Sequence, residues 1–239
     1  MTRLQTEYQR LYLPPAAGAD SADAPGLIGA DGRVRALVLA LSRPADWDAL
    51  SPLWRGVQSD LELPAPAIAV NGDAHMTLWF SLAEPHPAAD LHRVAQALLQ
   101  PLGPVLTPSN PALAWQVWPP APDQPRTPRP ELPPHAVTPE HWSAFLAPDL
   151  APVFADTPWL DSPPSRDGQA DLLAPLRRLK AEHLAVLTAT QAPAAAAAIT
   201  SPRVPTEGPG LGTGPRAFLR QVMHDEHAPL RWRIEAAKA

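Results

Sequence analysis

The sequence predicts an α+β fold: a small antiparallel or mixed sheet with helices on one face, in split β-α-β-β-α-β order, then a Pro-rich connection and a C-terminal helical extension. Three observations predict it. Apolar runs at 33–41, 67–70 and 75–82 have the length of strands, and the last two flank a polar turn. Two stretches, 47–61 and 87–102, space their apolar residues three and four apart, the period of a helix face. The segments follow one another as strand, helix, strand, strand, helix and strand.

Taken in order, residues 1–32 read as a flexible N-terminal tail, because Ala16–Gly32 is rich in Ala, Gly and Asp and carries no period. The α+β domain is expected over 33–187. Arg33–Leu41 (RVRALVLAL) suits a buried strand. Ser42 offers a helix cap and Pro44 fits a first helical turn. Trp47, Leu50, Trp54, Val57 and Leu61 then form a stripe, with a kink or break expected near Ser51 because Pro52 lacks an N–H. Ala67–Val70 and His75–Leu82 are the strands of a hairpin whose Asn71-Gly72-Asp73 turn tolerates positive φ. Pro87–Leu102 is the second helix, with Leu91, Val94, Leu98 and Leu102 on one face, and Ala112–Trp118 alternates as a fourth strand.

Proline dominates the chain beyond Trp118. The whole sequence holds 34 prolines in 239 residues, well above the usual ~5%. Residues 119–139 are expected as a Pro-rich connection, extended and partly polyproline II over Pro119–Pro134. His141–Leu146 suits a short strand and Asp149–Phe154 one helical turn. Gln169–Leu187 reads as a helix interrupted at Pro175. Residues 188–214 are a low-complexity linker and 215–239 a C-terminal amphipathic helical segment.

Composition excludes several classes of function. The chain has no cysteine, so disulfides, iron–sulfur clusters, thiolate zinc sites and a cysteine nucleophile are ruled out. This fits a cytoplasmic location. No run reaches the ~18 apolar residues of a membrane span, and MTRLQTEYQRLYLPP lacks a signal-peptide core. A formal charge of −5 argues against non-specific nucleic-acid binding by the whole surface.

The hairpin carries the candidate site. Alternation puts His75, Thr77, Trp79 and Ser81 on one strand face and Met76, Leu78, Phe80 and Leu82 on the other. The second set is the expected core. The first set, together with Asn71 in the turn, is either a ligand face that stacks a base on Trp79 or a solvated sheet face partly covered by the Pro-rich segment. Elsewhere the motifs are weak. His224 and His227 are three apart, but Pro229 follows and no third ligand is placed, so no metal site is assigned. Asp46 and Asp48 sit at a helix start, where carboxylates favour the helix dipole. The glycines at 208, 210, 212 and 214 lack the Lys-Ser or Lys-Thr of a phosphate loop.

Over roughly 33–118 the chain resembles the archaeo-eukaryotic primase superfamily, which includes primase-polymerases. In that family the strand pair often reads Ser-Gly-x-Gly-x-His-Leu-Trp-Phe. Here Asn71-Gly72 stands where Ser-Gly would, and Leu78-Trp79-Phe80 matches. The family histidine would fall at Thr77, and its metal-binding Asp-x-Asp would end the first strand, where this chain has Leu39-Ala40-Leu41. Two-metal nucleotidyl transfer needs hard oxygen ligands, so the resemblance implies a degenerate core. The segment 215–239 is similar to helices of phage DNA-packaging small-subunit proteins through Phe218, Leu219, Met223, Asp225, Arg233, Ala236, Ala237 and Lys238. Phe218, Leu219, Val222, Met223 and Arg233 are the candidate interaction residues there; an amphipathic helix docking on its own domain or on a partner explains its apolar positions equally well.

The expectation for function is a non-catalytic interaction or DNA-transaction accessory module with a protein or nucleic-acid partner, no membrane contact and no cofactor. The alternative is a metal-dependent nucleotidyl transferase that uses Mg²⁺ or Mn²⁺, with acids such as Asp46, Asp48 or Asp73. Oligomeric state stays open.

Overall fold

The computed structural model describes residues 1–15, 26–41, 47–99, 115–120 and 129–187. The chain divides into two units, Met1–Ala197 and Ala198–Ala239, and the fold described is that of the first. The expectations for 188–214 and 215–239, including Phe218, Leu219, Val222, Met223, Arg233, His224 and His227, lie outside the described residues, as does Asp46.

The α+β expectation is met. Strands β1 (Arg33–Leu41), β2 (Ala67–Val70), β3 (Met76–Pro87) and β4 (Trp115–Trp118), with a later strand β7 (Ala144–Leu146), form a five-stranded sheet in the order β4-β1-β3-β2-β7. Every neighbouring pair is antiparallel. Helices α2 (Trp47–Ser59) and α3 (Ala88–Leu99) occupy the two crossovers of the split order. One sheet face carries Leu37, Leu39, Ile68, Leu78 and Phe80, all at most 2% exposed. Against it α2 buries Trp47, Leu50, Leu53 and Val57, and α3 buries Leu91, Val94, Ala95 and Leu98. Pro52 does not break α2, which runs continuously through it.

The other sheet face departs from the expectation of solvent. Residues Arg3–Leu11, read from sequence as part of a tail, form helix α1. Its start is a capping box: the Thr2 hydroxyl accepts from the Gln5 amide, and the Gln5 side chain accepts from the Thr2 amide. Leu4, Tyr8 and Leu11 recur at helical spacing and are buried. The chain then delivers Tyr12, fully buried, onto Trp79 (ring centroids 5.4 Å apart, 65° between planes) and Phe145 (6.1 Å, 11°). Trp79 in turn meets Phe145 edge-on at 6.1 Å. An aromatic trio between the sheet and α1 therefore makes a second core layer, worth more than its buried area through edge and offset ring contacts.

Two arginines fasten this cover. A β-bulge between Val34 and Ala36 re-aims Arg35. Its guanidinium donates to the carbonyls of Gln9 and Leu13 at the end of α1, and to those of Leu82 and Ala83 on β3. Burial, and then the charge of Arg178, lower its proton affinity, while Glu84 opposes them. Arg10 reaches from α1 to the carbonyls of Leu173, Ala174 and Leu176. Those groups end helix α4 (Arg166–Leu173), where unpaired carbonyls attract a cation.

The segment expected as one helix over Gln169–Leu187 is split. After α4 and Pro175, Leu179 pairs in parallel with Leu82, donating its N–H to the Ser81 carbonyl and accepting the Ala83 N–H at its own carbonyl, and helix resumes at 181–187. His141–Leu146 divides at Ser143 into β6 (His141–Trp142), paired with β5 (Ala136–Thr138) in a small separate sheet, and β7. The free edge of β7 is closed by Gln169, whose amide accepts from the Phe145 N–H (2.6 Å) and donates to the Phe145 carbonyl (3.0 Å). One side-chain amide thus stands in for a strand residue. A single 3₁₀ turn covers Ala151–Phe154, inside the expected Asp149–Phe154.

Candidate functional site

The hairpin turn is built around Asn71. Its Oδ1 accepts from the backbone N–H groups of Asp73, Ala74 and His75 at 2.9–3.1 Å, and its Nδ2 lies 3.3 Å from His75 Nδ1. Gly72 takes φ +84° and gives its N–H to the Pro158 carbonyl at 3.1 Å. A Cβ there would lie 2.7 Å from Val137 Cγ2 and 3.0 Å from the Ser143 nitrogen. Glycine is needed both for the left-handed backbone and for this close approach of the turn to the small sheet.

Past the turn, the strand face is a floor. Thr77 Oγ1 donates to the Ala69 carbonyl (3.3 Å) and accepts from Trp79 Nε1 (3.0 Å), so both polar groups are consumed internally. Trp79 is 2% exposed. Tyr12 and Phe145 meet it in edge-type contacts (65° and 74° between planes), so Trp79 belongs both to the buried aromatic trio and to the lining of the recess above it. Register places Val38 and Ala40 of β1, then Trp118 and Gln116 of β4, beside Trp79 and Thr77 on the same face.

Above this floor lies a cavity of about 360 Å³, closed on its far side by residues between Arg129 and Val137. Of the four candidates on the hairpin, Thr77 and Trp79 form its base and Asn71 and His75 its rim, so one site gathers them all. The rim adds Asp73, Gln116, Arg129, Glu131 and His135. The Gln116 side chain makes no hydrogen bond to any described residue and is exposed, which leaves a donor and an acceptor at the mouth.

His135 tests whether the rim is catalytic. Its Nδ1 is 2.8 Å from Ser143 Oγ, and its Nε2 is 3.6 Å from Glu131 Oε2. Those residue types suit nucleophilic catalysis, yet Ser143 is 0% exposed and its hydroxyl accepts the His135 backbone N–H at 2.9 Å. The serine is a buried corner that shapes the segment, with no path to a substrate carbonyl. Asp48 stands in the first turn of α2, apart from the cavity lining. Among the described residues, no group of three or more His, Asp or Glu is arranged to hold a metal ion. Among them, too, no helix is long and apolar enough to cross a membrane.

Sequence reasoning missed Gln116, Trp118, Arg129 and His135 as lining residues. The first two were legible in principle, since pairing an alternating fourth strand with β1 puts Gln116 beside Ala40. Arg129 and His135 come from proline-rich chain with no periodic signal, and only tertiary packing brings them over the sheet. No protein-family model matches the chain, and no curated protein is significantly similar to it. The fold and cavity define an α+β protein with a ligand-sized recess on the β1–β3–β4 face of its sheet.

Proposed function

We propose that this chain is a non-catalytic accessory module of DNA transactions, built on a degenerate primase-like core, and that the sheet-face cavity holds a base of a single strand. The carrying observation is the recess itself. It is about 360 Å³, it lies on the sheet face that carries Trp79, opposite Leu78 and Phe80, and it has a largely apolar floor with the Gln116 amide and the Arg129 guanidinium, beside Asp73 and Glu131, on its rim. An amide offers the donor and acceptor pair that reads a base edge, and a guanidinium suits the adjoining phosphate. Where the primase family would carry Asp-x-Asp, β1 ends in Leu39-Ala40-Leu41. That supports binding without nucleotidyl transfer. With one arginine at the mouth among the described residues, affinity depends shallowly on salt, with a slope of about 0.7 per phosphate contacted.

A second reading rests on Asp73, a carboxylate on the same rim. It makes the chain a metal-dependent nucleotidyl transferase. Calorimetric titration separates the two. The first reading expects a short single-stranded DNA to bind without added metal, and nucleoside triphosphate with Mn²⁺ or Mg²⁺ to give no metal-dependent signal. Metal-dependent triphosphate binding favours the second. Silence with every ligand removes the nucleic-acid role and leaves a protein partner.

A further inference from the structure

A second cavity, of about 410 Å³, lies on the opposite side of the 129–135 segment, against the first turns of α1. Its walls are largely apolar: Leu4 of α1, Leu27, Leu132, Pro130 and Pro134. The neutral polar groups around it are largely occupied. The Tyr8 hydroxyl donates to the Pro133 carbonyl, and Thr2 and Gln5 satisfy each other in the capping box. Among the described residues three charged side chains remain in the lining: Arg129, Arg166 and Glu131. Glu131 faces His135 at 3.6 Å. Arg129 and Arg166 make no hydrogen bond or ion pair with any described residue, whereas Arg3 and Arg10 on the neighbouring helix are both paired with acids. Arg166 lines the cavity together with Tyr8.

Among the described residues two cations stand against one carboxylate in the lining, which favours an anion, and the apolar walls favour a ligand body that water does not. A guanidinium presents a planar fork that matches a carboxylate or a phosphate oxygen pair. We propose that this second cavity is a binding site for a small amphipathic anion, a carboxylate or phosphate head on an apolar body, with its head held by Arg129 and Arg166 and its body against Leu4, Leu27 and Leu132. The site adjoins the sheet-face recess, and Arg129 borders both. The two share Arg129, Pro130, Glu131 and His135 as a common wall, but Arg166, Leu4 and Leu27 line the second alone.

The test is calorimetric titration of the full chain with decanoate, decyl phosphate and decanol, each kept below its micelle concentration. One anion at least is expected to bind at one site per chain, with decanol about tenfold weaker or worse. Arg166→Gln is expected to reduce anion affinity by about tenfold and leave decanol unchanged, while Arg166→Lys retains part of the affinity. The melting temperature of the unliganded protein should not move, because Arg166 is exposed and unpaired among the described residues. Ala40→Leu, which fills the sheet-face recess, is expected to leave anion binding intact. Whichever anion binds more tightly identifies the head group. Equal binding of decanol and the anions, full affinity in Arg166→Gln, loss of anion binding in Ala40→Leu, or no binding of either anion would each overturn the proposal.

Discussion

At Gly72 two costs meet at one atom. The backbone sits at φ +84°, and an added Cβ would press on Val137 and on the backbone of Ser143. Gly32 provides the comparison, at φ +73° with nothing within 4 Å. Gly32→Ala should therefore cost only the conformational term, about 1–2 kcal/mol, while Gly72→Ala adds an overpacking term of about 1–3 kcal/mol. Urea denaturation of the two variants reads the difference, and equal losses would show that the turn is free of the small sheet. Asn71 works beside it. The residue pair that suggested a ligand-facing motif is occupied in making the turn, because the Asn71 oxygen already accepts three backbone N–H groups. Gln116, by contrast, carries the amide at the mouth of the recess that no described residue pairs, in the alternating WQVW strand.

Among the elements, α1 changes the reading of the molecule most. It buries part of the sheet face expected to meet solvent or a ligand, through Tyr12, Trp79 and Phe145, and leaves the recess over the rest. Leu11→Ala, at a fully buried position within α1, should cost about 2–5 kcal/mol by chemical denaturation. A substitution in a loose tail would stay within about 0.5 kcal/mol. The strand and helix order over 33–118 was legible because each element carries its own period: Leu37 and Leu39 on one face of β1, and Leu50, Leu53 and Val57 on α2. The signal for α1 was present as well, in Thr2-x-x-Gln5 with Leu4, Tyr8 and Leu11 at helical spacing, but the featureless stretch after Pro15 masked it. The division of 169–187 was half legible. Pro175 marks the break, but nothing local says that Leu179 will join β3. Nor does local sequence say that Arg129 and His135 arch over the sheet, since that placement depends on contacts across the whole domain.

On the scale of the whole molecule, burying tyrosines in the second layer ties stability to alkaline pH. Burial raises the proton affinity of both Tyr8 and Tyr12 above the usual phenol range; Arg166 opposes this at Tyr8 and Arg10 opposes it at Tyr12. Below about pH 10 both phenols are protonated in the folded and unfolded chain alike. Above it the unfolded chain releases protons that the folded chain keeps, so unfolding is favoured as pH rises. Stability is then lost at about 1.4 kcal/mol per pH unit for each phenol. Urea midpoints from pH 9 to 12 should fall accordingly, and Tyr12→Phe should flatten the slope by one phenol; an unchanged slope in that variant would contradict the burial of Tyr12. The proposed function rests on the recess that this layered architecture leaves over Thr77 and Trp118. Ala40 lines it beside both Thr77 and Gln116 in the strand register, so Ala40→Leu fills it with apolar side chain while the sheet stays intact. The most direct measurement is a metal-free calorimetric titration of single-stranded DNA into the unaltered protein and into Ala40→Leu. A base-holding recess requires binding by the unaltered protein and at least about tenfold weaker binding by the variant at an unchanged fold. Equal binding by both proteins, or binding only of nucleoside triphosphate and only with Mn²⁺ or Mg²⁺, would contradict it.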